Sequence, residues 1–169
     1  RVPVSFRNLP SPYEKGASVY SSLERIIPDH TSPVLYLKID YYTTVVDSAT
    51  GSNAGIAFDK SCLIPLDLET GSYKDYIELP VYTGQDSDNF GTETFMKPYE
   101  LLGIAANGWV FLTTPVEQGY MLEILDIKSR RIVKRILKIN NDELAYNALS
   151  LSPDGIISAL LATEFEASV

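Results

Sequence analysis

The sequence is poor in the residues that build cofactor, metal and disulfide sites. Its 169 residues contain one cysteine and one histidine. The lone cysteine, Cys62, excludes an internal disulfide, and His30 alone leaves little material for a metal site or for histidine-based catalysis. No glycine-rich phosphate-binding pattern, dinucleotide-binding pattern or Gly-x-Ser-x-Gly nucleophile motif occurs. We therefore expect no cofactor and no bound metal, and the sequence assigns no catalytic residue.

Long apolar runs and positive charge are also scarce. No run reaches the roughly 18 apolar residues of a membrane-spanning helix, and the segment Arg1–Phe6 lacks the apolar core of a signal peptide. Fourteen Lys and Arg residues stand against 22 Asp and Glu residues, which gives a formal net charge of −8. Such a surface repels phosphate backbones. The composition predicts no membrane span in this chain and no nucleic-acid binding.

One basic segment runs against this acidic balance. It places six cations among residues 128–138 without an intervening acid. No aromatic residue interleaves with them, as stacking against bases would require, so a phosphate-binding patch is the weaker interpretation. Lysine and arginine on a strand edge discourage edge-to-edge pairing, and the segment is interpreted as a solvated turn and strand edge. The six residues are Lys128, Arg130, Arg131, Lys134, Arg135 and Lys138.

What the chain does contain is typical of β-structure. Short apolar runs rich in Val, Ile, Leu and Tyr alternate with Gly, Asn, Asp and Pro, and the 11 tyrosines suit half-buried strands. Residues 1–18, with three prolines, are predicted to be an extended approach segment. The segment Ile132–Leu137 also suits an amphipathic helix, but its β-branched residues favour a strand. The sequence predicts an all-β fold.

Self-comparison reveals a repeated plan. An apolar residue leads into a tight turn and then an apolar strand near Pro28–Val34, Asn107-Gly108 and Asp154-Gly155. A second element ends a strand at Asp67 or Asp126, whose carboxylate can cap the turn that follows. In chain order these pieces give a four-stranded antiparallel unit. We expect such units at about residues 19–79 and 99–139, with a partial unit at 147–169.

A four-stranded unit has two apolar faces and cannot bury both alone. Packing such units around an axis is the β-propeller solution, and this chain would supply about two and a half blades. That number does not close a ring, and the sequence begins without an initiator methionine. We therefore expect the chain to be the interior of a longer gene product with further blades upstream. A β-sandwich built from the same hairpins is the alternative architecture.

Four stretches resemble a known family. They resemble the C-terminal part of predicted spirochaetal envelope lipoproteins with an NHL-like β-propeller. This resemblance implies a propeller fold and a periplasmic or surface-exposed location, and it assigns no catalytic residues. The stretches that carry it are Leu35–Tyr42, Leu68–Gly71, Tyr99–Gly103 and Leu149–Ala162.

Two segments, Asp47–Gly55 and Val81–Pro98, are predicted to be polar loops, where binding function commonly resides. Within the second, the sequence begins like a calcium loop but has Phe90 and Lys97 where the EF-hand pattern needs oxygen ligands. A solvated acidic loop is therefore the preferred interpretation. Its binding candidates are Asp86, Asp88, Asn89 and Glu93.

Five further residues receive structural rather than catalytic interpretations. His30 follows Pro-Asp and is expected to be exposed in a turn. Cys62 is interpreted as a small buried apolar residue. Tyr41 and Tyr42 must face opposite sides of a strand, so one is expected in the core and the other exposed. Trp109, at the start of a strand, is predicted to pack in the core.

These features together predict a non-catalytic binding or scaffolding module of a bacterial cell-envelope protein. Its expected partner is a protein or a surface, and an incomplete propeller would also leave strand edges available for self-association. The alternative is part of a propeller-type hydrolase whose active site lies mostly outside this chain.

Overall fold

The computed structural model describes residues 9–14, 17–46, 49–88, 91–116, 119–139, 144–152, 154 and 157–161. No helix occurs in this part of the chain, so the all-β prediction is confirmed. The strands are β1 (Val19–Pro28), β2 (Val34–Val46), β3 (Asn53–Asp67), β4 (Ile77–Glu78), β5 (Val81–Asp88), β6 (Gly91–Pro98), β7 (Glu100–Ile104), β8 (Trp109–Val116), β9 (Gly119–Asp126), β10 (Arg131–Ile139), β11 (Leu144–Leu151) and β12 (Ile157–Leu161).

The strands form antiparallel sheets in simple chain order. β1 to β4 make one four-stranded sheet, which we call the first sheet, and β7 to β10 make a second, which we call the second sheet. β5 pairs with β6, and β11 pairs with β12, as two-stranded hairpins. The chain divides into two compact units, residues 1–99 and 100–169. The antiparallel sheets predicted from the repeat are therefore present.

The first sheet is buried on both faces along its central strands. Every residue of 36–41 in β2 and of 61–66 in β3 is buried. Because successive side chains point to opposite faces, such a run covers both sides of the sheet. One face carries a core cluster, against which side chains of the approach segment and of the 73–76 region pack. The buried members of that cluster are Leu37, Ile39, Tyr41, Cys62 and Ile64.

The second sheet repeats this burial over a shorter length. Residues 110–114 of β8 and 122–125 of β9 are all buried. Ala105, Phe111 and Ile124 form a core cluster, with Leu102 packed against it. β10 lies at the edge of this sheet, so the strand interpretation of residues 132–137 is confirmed.

The prediction that Val81–Pro98 is a polar loop is wrong. Most of this segment forms the hairpin of β5 and β6, and β6 runs close to β3. In the hairpin Gly84 lies opposite Phe95, and a Cβ on Gly84 would collide with the Phe95 ring. The ring therefore covers a position that only glycine leaves open. The hairpin thus packs an aromatic ring against a glycine of the partner strand.

The prediction that Trp109 packs in the core is also wrong, because 39% of this residue is exposed. Trp109 is the first residue of β8 and pairs with Asp126, the last residue of β9, so it lies at the end of the sheet. Tyr41 is buried as expected of one member of the tyrosine pair. Tyr42 is half-buried rather than exposed, and it makes an edge contact with Phe58.

Candidate functional site

The two predicted aspartate turns have nearly the same geometry. Each carboxylate accepts two backbone N–H groups of the turn that follows it, at 2.9 to 3.2 Å. Hydrogen bonds to the carboxylate favour its charged form, so the pKa of each carboxyl group is lowered below its usual value. The largest cause is the backbone N–H of Thr70 at Asp67, and the side chain of Ser129, followed by backbone N–H groups, at Asp126. The acceptor–donor sets are Asp67 with Glu69 and Thr70, and Asp126 with Lys128 and Ser129.

A further backbone contact ties each turn to the start of the neighbouring strand. The N–H of Leu68 donates to the carbonyl of Pro33 at 2.8 Å, and the N–H of Ile127 donates to the carbonyl of Gly108 at 3.1 Å. Both turns close through a residue with positive φ, which is 70° at Gly71 and 55° at Arg130. Each aspartate therefore stabilises the turn that follows it by accepting hydrogen bonds from that turn's backbone.

A buried polar cluster lies in the centre of the first sheet, and we call it the Lys-Asp-Ser cluster. Lys38 Nζ lies 2.6 and 2.8 Å from the two carboxylate oxygens of Asp40. Ser61 Oγ donates to the same carboxylate at 2.5 Å from β3. No member is more than 3% exposed. The cluster thus holds one full positive and one full negative charge inside the protein, with each charge partnered.

The burial of this cluster suits it to stabilising the fold and not to reacting with a substrate. A serine hydroxyl that donates a hydrogen bond to a carboxylate is an arrangement that general-base catalysis can use. Here the hydroxyl of Ser61 belongs to a residue that is 0% exposed, so a substrate has no access to it. Our sequence interpretation missed the cluster. The available signal was the pair of opposite charges, Lys38 and Asp40, two positions apart in an otherwise apolar run.

A second polar contact fastens the approach segment to the first sheet. The hydroxyl of Tyr13 donates to the carboxylate of Asp59, and Lys60 Nζ lies 5.2 Å from the centre of the Tyr13 ring. Burial and the neighbouring Asp59 carboxylate raise the pKa of Tyr13. Asp59 occupies a β-bulge, since Lys60 pairs with Tyr41 while Phe58 pairs with Tyr42. Tyr13 and Leu9 also pack on the core cluster of that sheet.

The predicted acidic binding residues fall mostly outside what the structure describes. Asp86 and Glu93 are opposite each other in the hairpin of β5 and β6, and Asp88 is opposite Gly91. The side chains of these acidic residues, and the whole of Asn89, lie outside the described residues. Asp86 and Asp88 both belong to strand β5, so they do not form an EF-hand loop.

The single histidine and the single cysteine lie where the sequence predicted. His30 is exposed in the turn between β1 and β2, where Asp29 Oδ1 accepts the N–H of Thr31 at 2.8 Å. Cys62 is fully buried in β3, and burial raises the pKa of its thiol to about 12. At neutral pH the thiol therefore stays protonated and is a poor nucleophile.

The basic segment begins in the turn before β10 and continues along that strand. Lys128, Arg130 and Arg131 are exposed, and β10 is the edge of the second sheet. This placement agrees with a solvated turn and strand edge. The side chains of Lys134, Arg135 and Lys138 lie outside the described residues.

Neither a metal centre nor a membrane-spanning helix is found in the described ranges. Within them, no three or more His, Cys, Asp or Glu side chains come together as a metal-binding group. The same part of the chain contains no helix with the length and apolar character needed to cross a bilayer. In comparisons with known proteins, no family model, no curated protein and no solved structure matches this chain.

Proposed function

We propose that this chain is a non-catalytic binding or scaffolding module, built from β-propeller-type repeats, of a bacterial cell-envelope protein. The observation that carries the proposal is the burial of both faces of the central strands in both four-stranded sheets. A sheet buried on both faces needs cover on each side. In the first sheet the approach segment and the 73–76 region pack on one face, and neighbouring blades around an axis would cover the remaining faces. A sandwich leaves the outer face of each sheet in water, so this burial favours the propeller.

The place of β11 adds support. β11 begins the partial third unit and runs close to β7, the first strand of the second sheet. In a propeller the innermost strands of successive blades are neighbours around the central channel. The proximity of β7 and β11, the first strands of two successive units, fits that arrangement.

An experimental structure of the full-length gene product tests the architecture. We expect additional four-stranded meanders, each with an aspartate turn equivalent to those at Asp67 and Asp126, arranged around one axis. Two stacked sheets, each with a solvated outer face, would contradict the propeller.

The envelope location rests on the resemblance of stretches such as Leu35–Tyr42 to envelope lipoproteins. Fractionation of the native cells, combined with metabolic labelling by an alkyne fatty acid, tests it. We expect the full-length protein in the membrane fraction and labelled with lipid. Recovery of an unlabelled protein from the cytosol would refute the location without affecting the architecture.

A further inference from the structure

The register of the β2–β3 hairpin is not determined by its apolar pattern. Register is well specified when one face of a strand is buried and the other is solvated, since a slip then exposes apolar residues. In β2 and β3 the central residues are buried on both faces. A slip of two residues would keep every side chain on its own face. After such a slip, the apolar residues among 36–41 would still lie opposite mostly apolar residues among 61–66.

The connection between these strands does not determine the register either. Residues 47–52 separate Val46 from Asn53, and the pairing is irregular at Tyr41/Tyr42 and again at Val45/Val46. In the second sheet, by contrast, only residues 117–118 separate β8 from β9, and the pairing there is regular throughout. A two-residue hairpin connection sets the register of its strands, whereas a longer connection constrains it less.

We propose that the Lys-Asp-Ser cluster fixes the register of the β2–β3 hairpin. In the observed register Asp40 lies directly opposite Ser61, which donates to its carboxylate, and Lys38 lies on the same face. A slip of two residues would set Asp40 opposite either Asp59 or Leu63. The first places like charges together, and the second removes a hydrogen bond from a buried carboxylate. Both are strongly unfavourable, so the buried charges select one register.

The single native cysteine makes the register measurable. Cys62 lies opposite Ile39, and the core cluster holds both residues. A cysteine introduced by Ile39→Cys reports the native register, because directly opposed cysteines on neighbouring strands are within disulfide reach. Leu37→Cys and Tyr41→Cys report the two slipped registers. Each variant is refolded in a glutathione redox buffer, and the intramolecular disulfide is quantified by mass spectrometry.

In the otherwise native sequence we expect Ile39→Cys to form the disulfide at least about tenfold more than either slipped reporter. The neutral background combines Lys38→Met, Asp40→Leu and Ser61→Ala. There we expect the slipped reporters to rise at least about tenfold, because the apolar pattern alone tolerates them. The control background, Lys74→Met with Glu69→Leu, removes two exposed charges of the Asp67 turn. It should leave the native preference unchanged.

Exclusive formation of the native disulfide in the neutral background would overturn the proposal, since the cluster would then be dispensable for register. Equal slipping in the control background would overturn it as well. If circular dichroism shows that the triple variant does not fold, Lys38→Met/Asp40→Leu, which removes both buried charges together, takes its place. Slipped disulfides in that double variant would support the register role, and their absence would refute it.

Discussion

The two four-stranded sheets share a backbone plan but bury different polar groups. Aligned on their aspartate turns, Leu37 and Leu112 occupy equivalent places, and both are almost fully buried. Lys38, however, corresponds to Thr113, and the buried Glu123 of the second sheet corresponds to an apolar residue of the first. Turns and apolar positions thus define the common plan. Each sheet then places its buried polar groups individually.

Removal of Asp40 should give the largest single effect. Asp40→Ala leaves the buried Lys38 ammonium without its partner, and we expect a loss of about 3–5 kcal/mol in the free energy of unfolding, measured in urea. Replacing both charges, as Lys38→Met/Asp40→Leu, should recover most of that loss. In the second sheet Thr113→Val should change stability by less than about 1 kcal/mol. A loss below about 1 kcal/mol for Asp40→Ala would mean that the sheets do not differ in this respect.

The equivalent leucines test what the sheets have in common. Leu37→Ala and Leu112→Ala each leave a cavity in a buried strand pair, and each should lower the free energy of unfolding by about 2–5 kcal/mol. Chemical denaturation of the two variants, side by side with the wild type, measures both. Losses that differ by more than about 2 kcal/mol would indicate that the two sheets are not equally packed.

Gly71 and Arg130, the residues with positive φ at the ends of the two turns, allow opposite substitutions to be compared. Arg130→Gly relieves a side chain held in the left-handed region and should raise the free energy of unfolding by about 1 kcal/mol. Gly71→Arg introduces the same strain and should lower it by about 1 kcal/mol. Calorimetric melting temperatures measure both. Shifts in the same direction for both variants would contradict the equivalence of the turns.

The smallest expected effect is on how the stability of the protein depends on pH. Because the folded state lowers the pKa of Asp67 and Asp126, their stabilising contribution is present above the unfolded-state pKa of about 3.9. It is lost as the pH falls through the lower folded-state pKa. Asp67→Asn/Asp126→Asn should therefore lose less stability than wild type between pH 7 and pH 3, measured by thermal melting. An unchanged pH dependence would show that neither turn depends on the charge.

The sequence reveals the turns because their determinants are local. An aspartate at a strand end, followed by hydrogen-bonding backbone within a few residues, is visible without tertiary contacts. The hairpin of β5 and β6 was not visible, since a polar composition does not indicate cross-strand contacts such as that of Phe95 with Gly84. Trp109 was misplaced because exposure at the end of a sheet depends on where the neighbouring strands stop. Burial of Lys38 and Asp40 likewise depends on what covers both faces.

The backbone contact from Leu68 to Pro33, and its counterpart at Ile127 and Gly108, has a consequence for how the chain tolerates change. In each sheet this hydrogen bond joins two adjacent connections at one end of the sheet. Lengthening either connection there would therefore disturb both. At the opposite end of the first sheet, the described residues 49–52 of the connection after Val46 are all exposed. Insertions, grafted epitopes or tags should therefore be accepted at that end and rejected at the other.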